Sequence, residues 1–172
     1  MVGHHDNVET IGTVSEETMA QKMLEEQIRV FARLKGSENF NRVAEDVIPV
    51  AATSGKLVCE MIVQTQHLNS KGTLHGGQTA TLTDIVTARA VGMTVNDKGM
   101  ASVELSVSFL LPVKVGDVVE ITAHVLKVGR TLAFTECDFR RKSDGKLTAK
   151  GKHTLALLPN QPGISIEDGK QF

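Results

Sequence analysis

The sequence predicts an α+β fold in which one long apolar helix lies on a curled antiparallel sheet. Three observations support this prediction. Residues 74–95 are rich in Thr and Ala and almost uncharged, which is typical of a helix that is buried on much of its circumference. The segments that follow, up to residue 157, alternate between apolar and polar residues as half-buried strands do. Short turns separate these segments, so neighbouring strands are expected to run antiparallel.

Length and composition indicate a single domain, which we place at residues 15–158. The chain has 172 residues, of which 41% are apolar and 23% charged, and a domain of this size can bury a core without metals or disulfides. A formal net charge of -1 gives no basic surplus, and six Phe with no Trp or Tyr leave few stacking platforms. Nucleic acid is therefore not an expected partner. No apolar run approaches the roughly 20 residues of a membrane span.

The cysteines and the N-terminal residues indicate a reducing, cytoplasmic environment. Cys59 and Cys137 lack the close spacing of a zinc cluster or a secreted disulfide framework. We interpret them as reduced packing residues, since free cysteines are mostly buried. The first 20 residues contain four acidic residues and no Lys or Arg, unlike a secretory signal or a mitochondrial presequence.

The N-terminal part is predicted to be helical after a flexible arm at residues 1–14. The two adjacent histidines in this arm are interpreted as solvent-exposed rather than as a metal site. Ser15, followed by two acidic residues, is a plausible N-cap. Apolar residues at three- to four-residue spacing extend the helix to Gly36, and a second short helix is expected at Ser37 to Ala44. The N-terminal helices thus cover about residues 15–45.

Strands account for most of the remaining chain. The first is predicted from Lys56 to Gln64, and a polar loop at residues 67–72 leads into the long helix. In the strand after the helix, Val103 to Phe109 place alternate apolar side chains on one face, and Ser102 lies with the polar residues on the other. Turns are predicted at 129–130 and 143–145, and an irregular tail at 159–172.

The start of the long helix is the first candidate functional feature. His75, Gly76 and Gly77 lie there, and the glycines expose backbone N–H groups at the positive end of the helix dipole. Such an end suits an oxyanion or a polarised carbonyl oxygen. Because Gly76 has no side chain, a substrate could approach its backbone closely. The alternative is an ordinary glycine-rich helix start.

Asp84 lies in the middle of this apolar helix. A buried carboxylate without a partner is costly or binds a proton, so an acid tolerated there is expected to have a function or an ion-pair partner. Arg89 is five residues further on, about 140° around the helix, and is a poor partner within it. We favour a functional Asp84 over a structural one.

The spacing between the helix start and Asp84 constrains any shared site. Asp84 follows His75 by nine residues, which corresponds to roughly 13 Å along the axis and to the opposite side of the helix. Both groups therefore cannot contact one reacting carbonyl within a single chain. If both are catalytic, two chains must supply them, and a two-fold dimer with antiparallel helices would bring the start of one helix near Asp84 of the other chain.

Asn69 and Ser102 complete the candidates. The Asn69 side chain, in the loop before the helix, could join a backbone N–H in binding a carbonyl oxygen, although a turn-forming Asn has the same signature. Ser102 could hydrogen-bond a carboxylate or a water, or could be an ordinary surface serine. The sequence contains no Gly-x-Ser-x-Gly, phosphate-binding loop, dinucleotide motif or zinc-like histidine set. Neither a cofactor nor a metal is expected.

These residues form a recognisable motif. Asn-x-x-Gly-x-x-His-Gly-Gly begins at Asn69, and an acid follows the histidine by nine residues. On this motif, residues 57–157 resemble the hotdog-fold thioesterases of the phenylacetic-acid-degradation group, with weaker similarity back to about Asn39. Further matching stretches are residues 79–82, 102–104, 121–127, 131–135 and 145–147.

The resemblance implies a hotdog fold, dimers of dimers, and active sites at the interface of two chains. It implies that Asn69 and the Gly76 N–H polarise a thioester carbonyl, while His75 shapes that end of the site. Asp84 and Ser102 of the facing chain would orient and activate the attacking water. By the same resemblance, the coenzyme A (CoA) groove would be lined by Phe109, Leu110, Leu111, Pro112, Val113, Lys114, Lys127, Val128, Gly129, Arg130, Thr131 and Leu132, with the two lysines and the arginine as phosphate partners. Relatives occur in the cytosol and in mitochondria, so a mitochondrial location is an alternative.

The leading hypothesis is hydrolysis of medium- or long-chain fatty or aryl acyl-CoA to free acid and CoA. Asp84 could act as a general base on water or form a covalent anhydride, and the sequence leaves both routes open. One rival is a non-catalytic acyl-CoA-binding protein. Another is an acyl-thioester hydratase or dehydratase, for which His75 is the one candidate proton-transfer group. Gln78 and Arg89 add polarity to helix positions that are more apolar in relatives, which leaves the acyl-chain preference open.

Overall fold

The computed structural model describes the backbone of residues 9–159 and the side chains of residues 16–159. This part of the chain contains two α-helices, two short 3₁₀ helices and six β-strands. The helices are α1 (Glu9–Ala32), α2 (Gly76–Gly92) and the 3₁₀ turns Phe40–Ala44 and Thr65–His67. The strands are β1 (Ile48–Thr53), β2 (Lys56–Ile62), β3 (Gly99–Phe109), β4 (Val118–Val128), β5 (Leu132–Arg141) and β6 (Leu147–Leu158).

The six strands form one antiparallel sheet in the order β1-β2-β4-β5-β6-β3. The long helix α2 lies against this sheet and contacts β2, β3, β4, β5 and β6, while α1 packs beside β1. The predicted α+β architecture, with its central apolar helix, is thereby confirmed. No helix within residues 9–159 is both long and apolar enough to cross a membrane.

The core lies between α2 and the facing side of the sheet. Leu82, Val86 and Ala90 of α2 are fully buried against inward-facing strand residues such as Leu57 and Ile121, and burying one such aliphatic side chain contributes about 1.5–3 kcal/mol. Hydroxyls tolerate burial here because Thr79 and Thr83 each donate to the carbonyl oxygen four residues earlier. The buried Thr87 hydroxyl lies 2.7 Å from the Thr83 carbonyl oxygen and 2.7 Å from His153 Nδ1.

Both cysteines belong to this core, as predicted. Cys59 and Cys137 are fully buried and are not bonded to each other. Burial raises the pKa of the Cys59 thiol to about 12 and also raises that of Cys137. Neither thiol is therefore a nucleophile near neutral pH.

A β-bulge in β3 corrects the predicted facing of Ser102. The pairing of β3 with β6 shifts between Ser102 and Glu104, so an extra residue interrupts the alternation. Ser102 pairs with Leu155 and Leu105 pairs with His153, both of which are buried. Ser102 therefore faces α2, on the same side as Leu105, and not the outer surface with the other serines of the strand.

Several element boundaries differ from the prediction. Helix α1 begins at Glu9 rather than near Ser15, so part of the predicted arm is helical. The expected second helix is a 3₁₀ turn at Phe40–Ala44. The sequence does not predict β1, whose Pro49 and paired alanines lack a strand alternation; β1 forms at the sheet edge with a register shift after Pro49. The predictions for residues 1–8, including the two histidines, and for residues 160–172 lie outside the described part.

Candidate active site

The start of α2 presents an unused backbone donor. His75 is the N-cap, and its Nδ1 accepts the N–H of Gly77 at 2.8 Å. Because Nδ1 is the acceptor, the neutral ring carries its proton on Nε2. The N–H of Gly76 has no acceptor among the described residues. His75 thus satisfies one orphan donor of the helix start and leaves the N–H of Gly76 available.

The Asn69 side chain is fixed by a tight turn before the helix. Its Oδ1 accepts the N–H of Lys71 at 2.9 Å and that of Thr73 at 3.3 Å. Its Nδ2 donates to Thr73 Oγ1 at 3.0 Å, so the second hydrogen of this amide is free to donate elsewhere. Gly72, at φ +74°, closes the turn in a conformation that favours glycine. The turn-forming interpretation of Asn69 therefore holds, and the same turn orients the remaining amide hydrogen.

A buried histidine fastens this loop to the rest of the fold. His67 is 4% exposed, and its Nδ1 accepts the N–H of Gln64 at 3.0 Å. Its Nε2 lies 3.1 Å from Asp46 Oδ2, and its carbonyl oxygen accepts the N–H of His75 at 2.8 Å. These bonds hold the residue before the helix in place and so fix where α2 begins.

Asn69 and Gly76 line the same cavity, as the sequence-based hypothesis requires. The cavity has a volume of about 280 Å³ and is open to solvent at the surface of the chain. Phe109 covers the helix start, because a Cβ built on Gly76 would lie 3.3 Å from its ring. The remaining lining residues are mostly apolar: Thr73, Leu74, Thr79, Leu110, Leu111, Pro112, Val113, Phe139, Thr148 and Ala149.

Asp84 forms a second polar cluster further along α2. The Ser102 hydroxyl donates to Asp84 Oδ1 at 2.6 Å, a short bond of the charge-assisted type. The Asp84 side chain is 40% exposed in the single chain, which corrects the expectation that it is buried. Its functional interest thus rests on its contacts rather than on desolvation.

His153 of β6 completes this second cluster. Its side chain is 0% exposed, and its Nε2 lies 3.2 Å from Asp84 Oδ1. Its Nδ1 lies 2.7 Å from the Thr87 hydroxyl. Burial lowers the pKa of His153, although the nearby Asp84 carboxylate opposes that shift, so the ring is neutral near neutral pH.

The two clusters are separate within one chain. Asp84 and Ser102 do not line the cavity that holds Asn69 and Gly76. Along α2, Asp84 follows Gly76 by eight residues, a distance of about 12 Å. One chain therefore presents a pair of N–H donors at one place and an acid–serine–histidine cluster at another.

Comparison with known proteins places this arrangement in a family. The family model described as "Thioesterase superfamily" matches residues 71–148. Acyl-coenzyme A thioesterase 13 of Mus musculus is 44% identical over 134 residues, which cover 78% of this chain and 94% of that protein. The chain belongs to the thioesterase superfamily. The resemblance seen in the sequence is thereby confirmed.

Two further relatives support this membership. A Caenorhabditis elegans protein named "putative esterase" is 74% identical over 172 residues, covering 100% of both chains. The crystal structure of zebrafish thioesterase superfamily member 2 superimposes with a TM-score of 0.76 at 42% identity and covers 78% of this chain and 97% of that one. The curled sheet around α2 is thus the hotdog fold of the thioesterase superfamily.

The segments predicted to line a CoA groove lie at opposite ends of the sheet. Residues 109–113 line the cavity with Asn69, and Lys114 pairs with Thr73 beside it. Residues 127–132 form the β4–β5 hairpin, whose Val128 aligns with Ser102 through Ala133 and Leu155. Ser102 and Phe109 are seven residues apart on β3, about 23 Å. Each predicted segment therefore accompanies one of the two clusters.

Three site residues escaped the sequence-based reasoning: Thr73, Thr87 and His153. A signal for His153 was present, because it occupies an inward position of the alternating strand β6, between Gly151 and Leu155. Thr73 and Thr87 give no such signal, since threonines recur along both segments. Among residues 16–159, no three His, Cys, Asp or Glu side chains are placed to hold a metal ion.

Proposed function

We propose that this protein hydrolyses acyl-CoA thioesters to free acid and CoA at a site completed by two chains. The observation that carries the proposal is the pairing of Asn69 with the acceptor-free N–H of Gly76 in one cavity. Two convergent N–H donors stabilise the oxyanion that forms when a thioester carbonyl is attacked. Residues 109–113 give the cavity the apolar wall that an acyl thioester would need.

Asp84 supplies the second half of the chemistry in this proposal. A carboxylate held by the Ser102 hydroxyl can take a proton from water as the water attacks the carbonyl carbon. Direct attack by Asp84 to give an anhydride, hydrolysed in a second step, is the alternative route. Either route needs Asp84 within contact of a carbonyl that Gly76 holds.

A two-fold dimer would meet this need. Strand β3 lies at the edge of the sheet, with Val103, Leu105 and Phe109 exposed, and a long apolar edge is suited to pairing with another strand. Antiparallel pairing centred on Ser106 would, because of the bulge between Ser102 and Glu104, set Ser102 opposite Phe109 of the partner subunit. The acid cluster of one chain would then meet the cavity of the other, and both CoA-lining segments would adjoin one site.

The proposed substrate is a medium- or long-chain fatty or aryl acyl-CoA, and the proposed assembly a homotetramer of two such dimers. Lys114, Lys127 and Arg130 are exposed and would meet the phosphates of CoA in this arrangement. The hydratase alternative is disfavoured because His75 Nδ1 is already bonded to Gly77. We propose a cytoplasmic location, with the mitochondrion as the alternative.

A thiol-release assay across acyl-CoA lengths tests the function. We expect wild-type protein to release CoA from medium- or long-chain or phenylacetyl-CoA faster than from acetyl-CoA, because the cavity wall at residues 109–113 is apolar. Tight binding of acyl-CoA by calorimetry without any thiol release would instead show a carrier. Hydration of an enoyl-CoA without release of CoA would show a hydratase, and either result would refute the proposal.

Mixing inactive chains tests the shared site. Asn69→Ala and Asp84→Ala chains are each expected to be inactive alone. After co-refolding in equal amounts, half of the dimers should contain one intact site of two, which restores about a quarter of the wild-type rate. The measurement is thiol release from heterodimers verified by native mass spectrometry.

A double variant provides the control for this mixing. A chain with both Asn69→Ala and Asp84→Ala should inactivate both sites of a heterodimer with wild type, so an equal mixture retains about a quarter of the activity rather than half. The shared site would be refuted by two results together: verified heterodimers of the two single variants recover no activity, and the mixture of wild type with the double variant retains half of the activity. Each complete site would then lie within one chain.

A further inference from the structure

His153 is a buried histidine that takes no part in the proposed reaction as described above. Its side chain is 0% exposed, yet Nε2 has no aligned hydrogen-bond partner among the described residues. Asp84 Oδ1 lies 3.2 Å from this nitrogen, within ion-pair distance but outside hydrogen-bond alignment. Catalytic hydrogen bonds are often long or poorly aligned in the free enzyme and tighten in the complex.

Close packing of α2 on β6 brings the ring to this place. A Cβ at Gly151 would overlap the Thr83 side chain, so glycine at this position lets the helix approach the strand. Two residues further along β6, His153 faces the next turn of α2. There its Nδ1 lies 2.7 Å from the Thr87 hydroxyl, and its Nε2 lies 3.2 Å from Asp84 Oδ1.

The Thr87 hydroxyl decides which ring nitrogen carries the proton. If the hydroxyl donates to Nδ1, the neutral ring carries its proton on Nε2 and donates it toward Asp84. If the hydroxyl donates to the Thr83 carbonyl instead, at 2.7 Å, Nδ1 is protonated. A bare Nε2 would then face a carboxylate oxygen with no proton between them. The first arrangement gives both ring nitrogens a partner and avoids a bare Nε2 against the carboxylate, so we take it as the favourable one.

We propose that His153 is a positioning residue for Asp84, and this proposal rests on the proposed hydrolase function. In it, Thr87 sets the Nε2–H tautomer, and His153 and Ser102 hold the same Asp84 oxygen, Oδ1. No hydrogen bond to Oδ2 is found within the described residues. Oδ2 is thereby the oxygen left to receive the proton of the attacking water.

The neutral state of the ring suits this role. A positively charged imidazolium beside Asp84 would stabilise the carboxylate and make it a weaker base. Burial of the ring disfavours that charge. A neutral N–H donor fixes the orientation of the carboxylate while leaving its basicity largely intact.

Paired substitutions at His153 and Thr87 test the proposal by activity. His153→Leu should lower kcat for acyl-CoA hydrolysis by about 100-fold with KM nearly unchanged. His153→Gln places an amide N–H near the position of Nε2–H and should stay within about 10-fold of wild type. Thr87→Val should fall between them, and Thr87→Ser, which keeps the hydroxyl, should recover most of the activity that Thr87→Val loses. Equal activity of folded Leu and Gln variants would overturn the proposal.

The ring tautomer provides a readout that does not depend on activity. Nitrogen NMR of labelled wild-type protein near neutral pH should show His153 protonated on Nε2 and bare on Nδ1, and Thr87→Val should disturb this state. A wild-type Nδ1–H tautomer would overturn the positioning role, whatever the kinetics show. If the protein shows the predicted tautomer but releases no thiol, the hydrolase function alone is refuted. If His153→Leu does not fold, the Gln and Thr87 variants and the tautomer decide the question.

Discussion

Asp84→Asn is expected to lower kcat for acyl-CoA hydrolysis by about 100- to 10,000-fold, the range attributed to a positioned general base. The amide keeps nearly the same shape as the carboxylate but can neither accept a proton from water nor attack a carbonyl. The prediction therefore holds for the general-base and the anhydride routes alike. Stopped-flow or steady-state thiol release with the best acyl-CoA substrate measures the loss.

The fold should survive this substitution. Asn keeps an Oδ1 that can accept the Ser102 hydroxyl, and the side chain at this position is 40% exposed, so little desolvation changes. Asp97→Asn is a matched control, since Asp97 is an exposed acid beyond the end of α2 and should retain full activity. If Asp84→Asn kept activity within about 10-fold of wild type, Asp84 would have no part in the reaction.

The separation of the two clusters could be predicted because it depends only on helix geometry. Once residues 74–95 are taken as one helix, the rise and turn per residue place Asp84 far from the Gly76 N–H whatever the sheet does. The observed helix, Gly76–Gly92, contains both. The same local reasoning located Asn69, because its side chain bonds only within the five-residue turn 69–73.

The facing of Ser102 and the presence of His153 depend instead on long-range pairing. A strict alternation puts Ser102 on the outer face, and only the β3–β6 register reveals the bulge that turns it toward Asp84. His153 lies 69 positions beyond Asp84 in the chain, so its approach to the carboxylate follows from sheet order and from the contact of Gly151 with Thr83. No local pattern encodes either contact.

Gly76→Pro is expected to lower kcat/KM by about 100- to 1000-fold, the cost of losing one oxyanion donor. Proline removes the one N–H at the helix start that the proposal assigns to the thioester oxygen. Position 76 is the first residue of α2, where proline is favoured. The residue before it, His75, has φ -67° and ψ 132°, a conformation compatible with a following proline. The helix should therefore be preserved.

Gly76→Ala separates loss of the donor from crowding by the new side chain. Alanine and proline both add a Cβ, which would lie 3.3 Å from the Phe109 ring, but alanine keeps the N–H. Phe109 is 60% exposed and can move aside, so alanine should cost far less than proline. Equal activity of the two variants, with helix content unchanged by circular dichroism, would show that the Gly76 N–H is not an oxyanion donor. Asn69→Ala could not make this distinction, because it removes the Asn69 donor together with the turn that orients the loop.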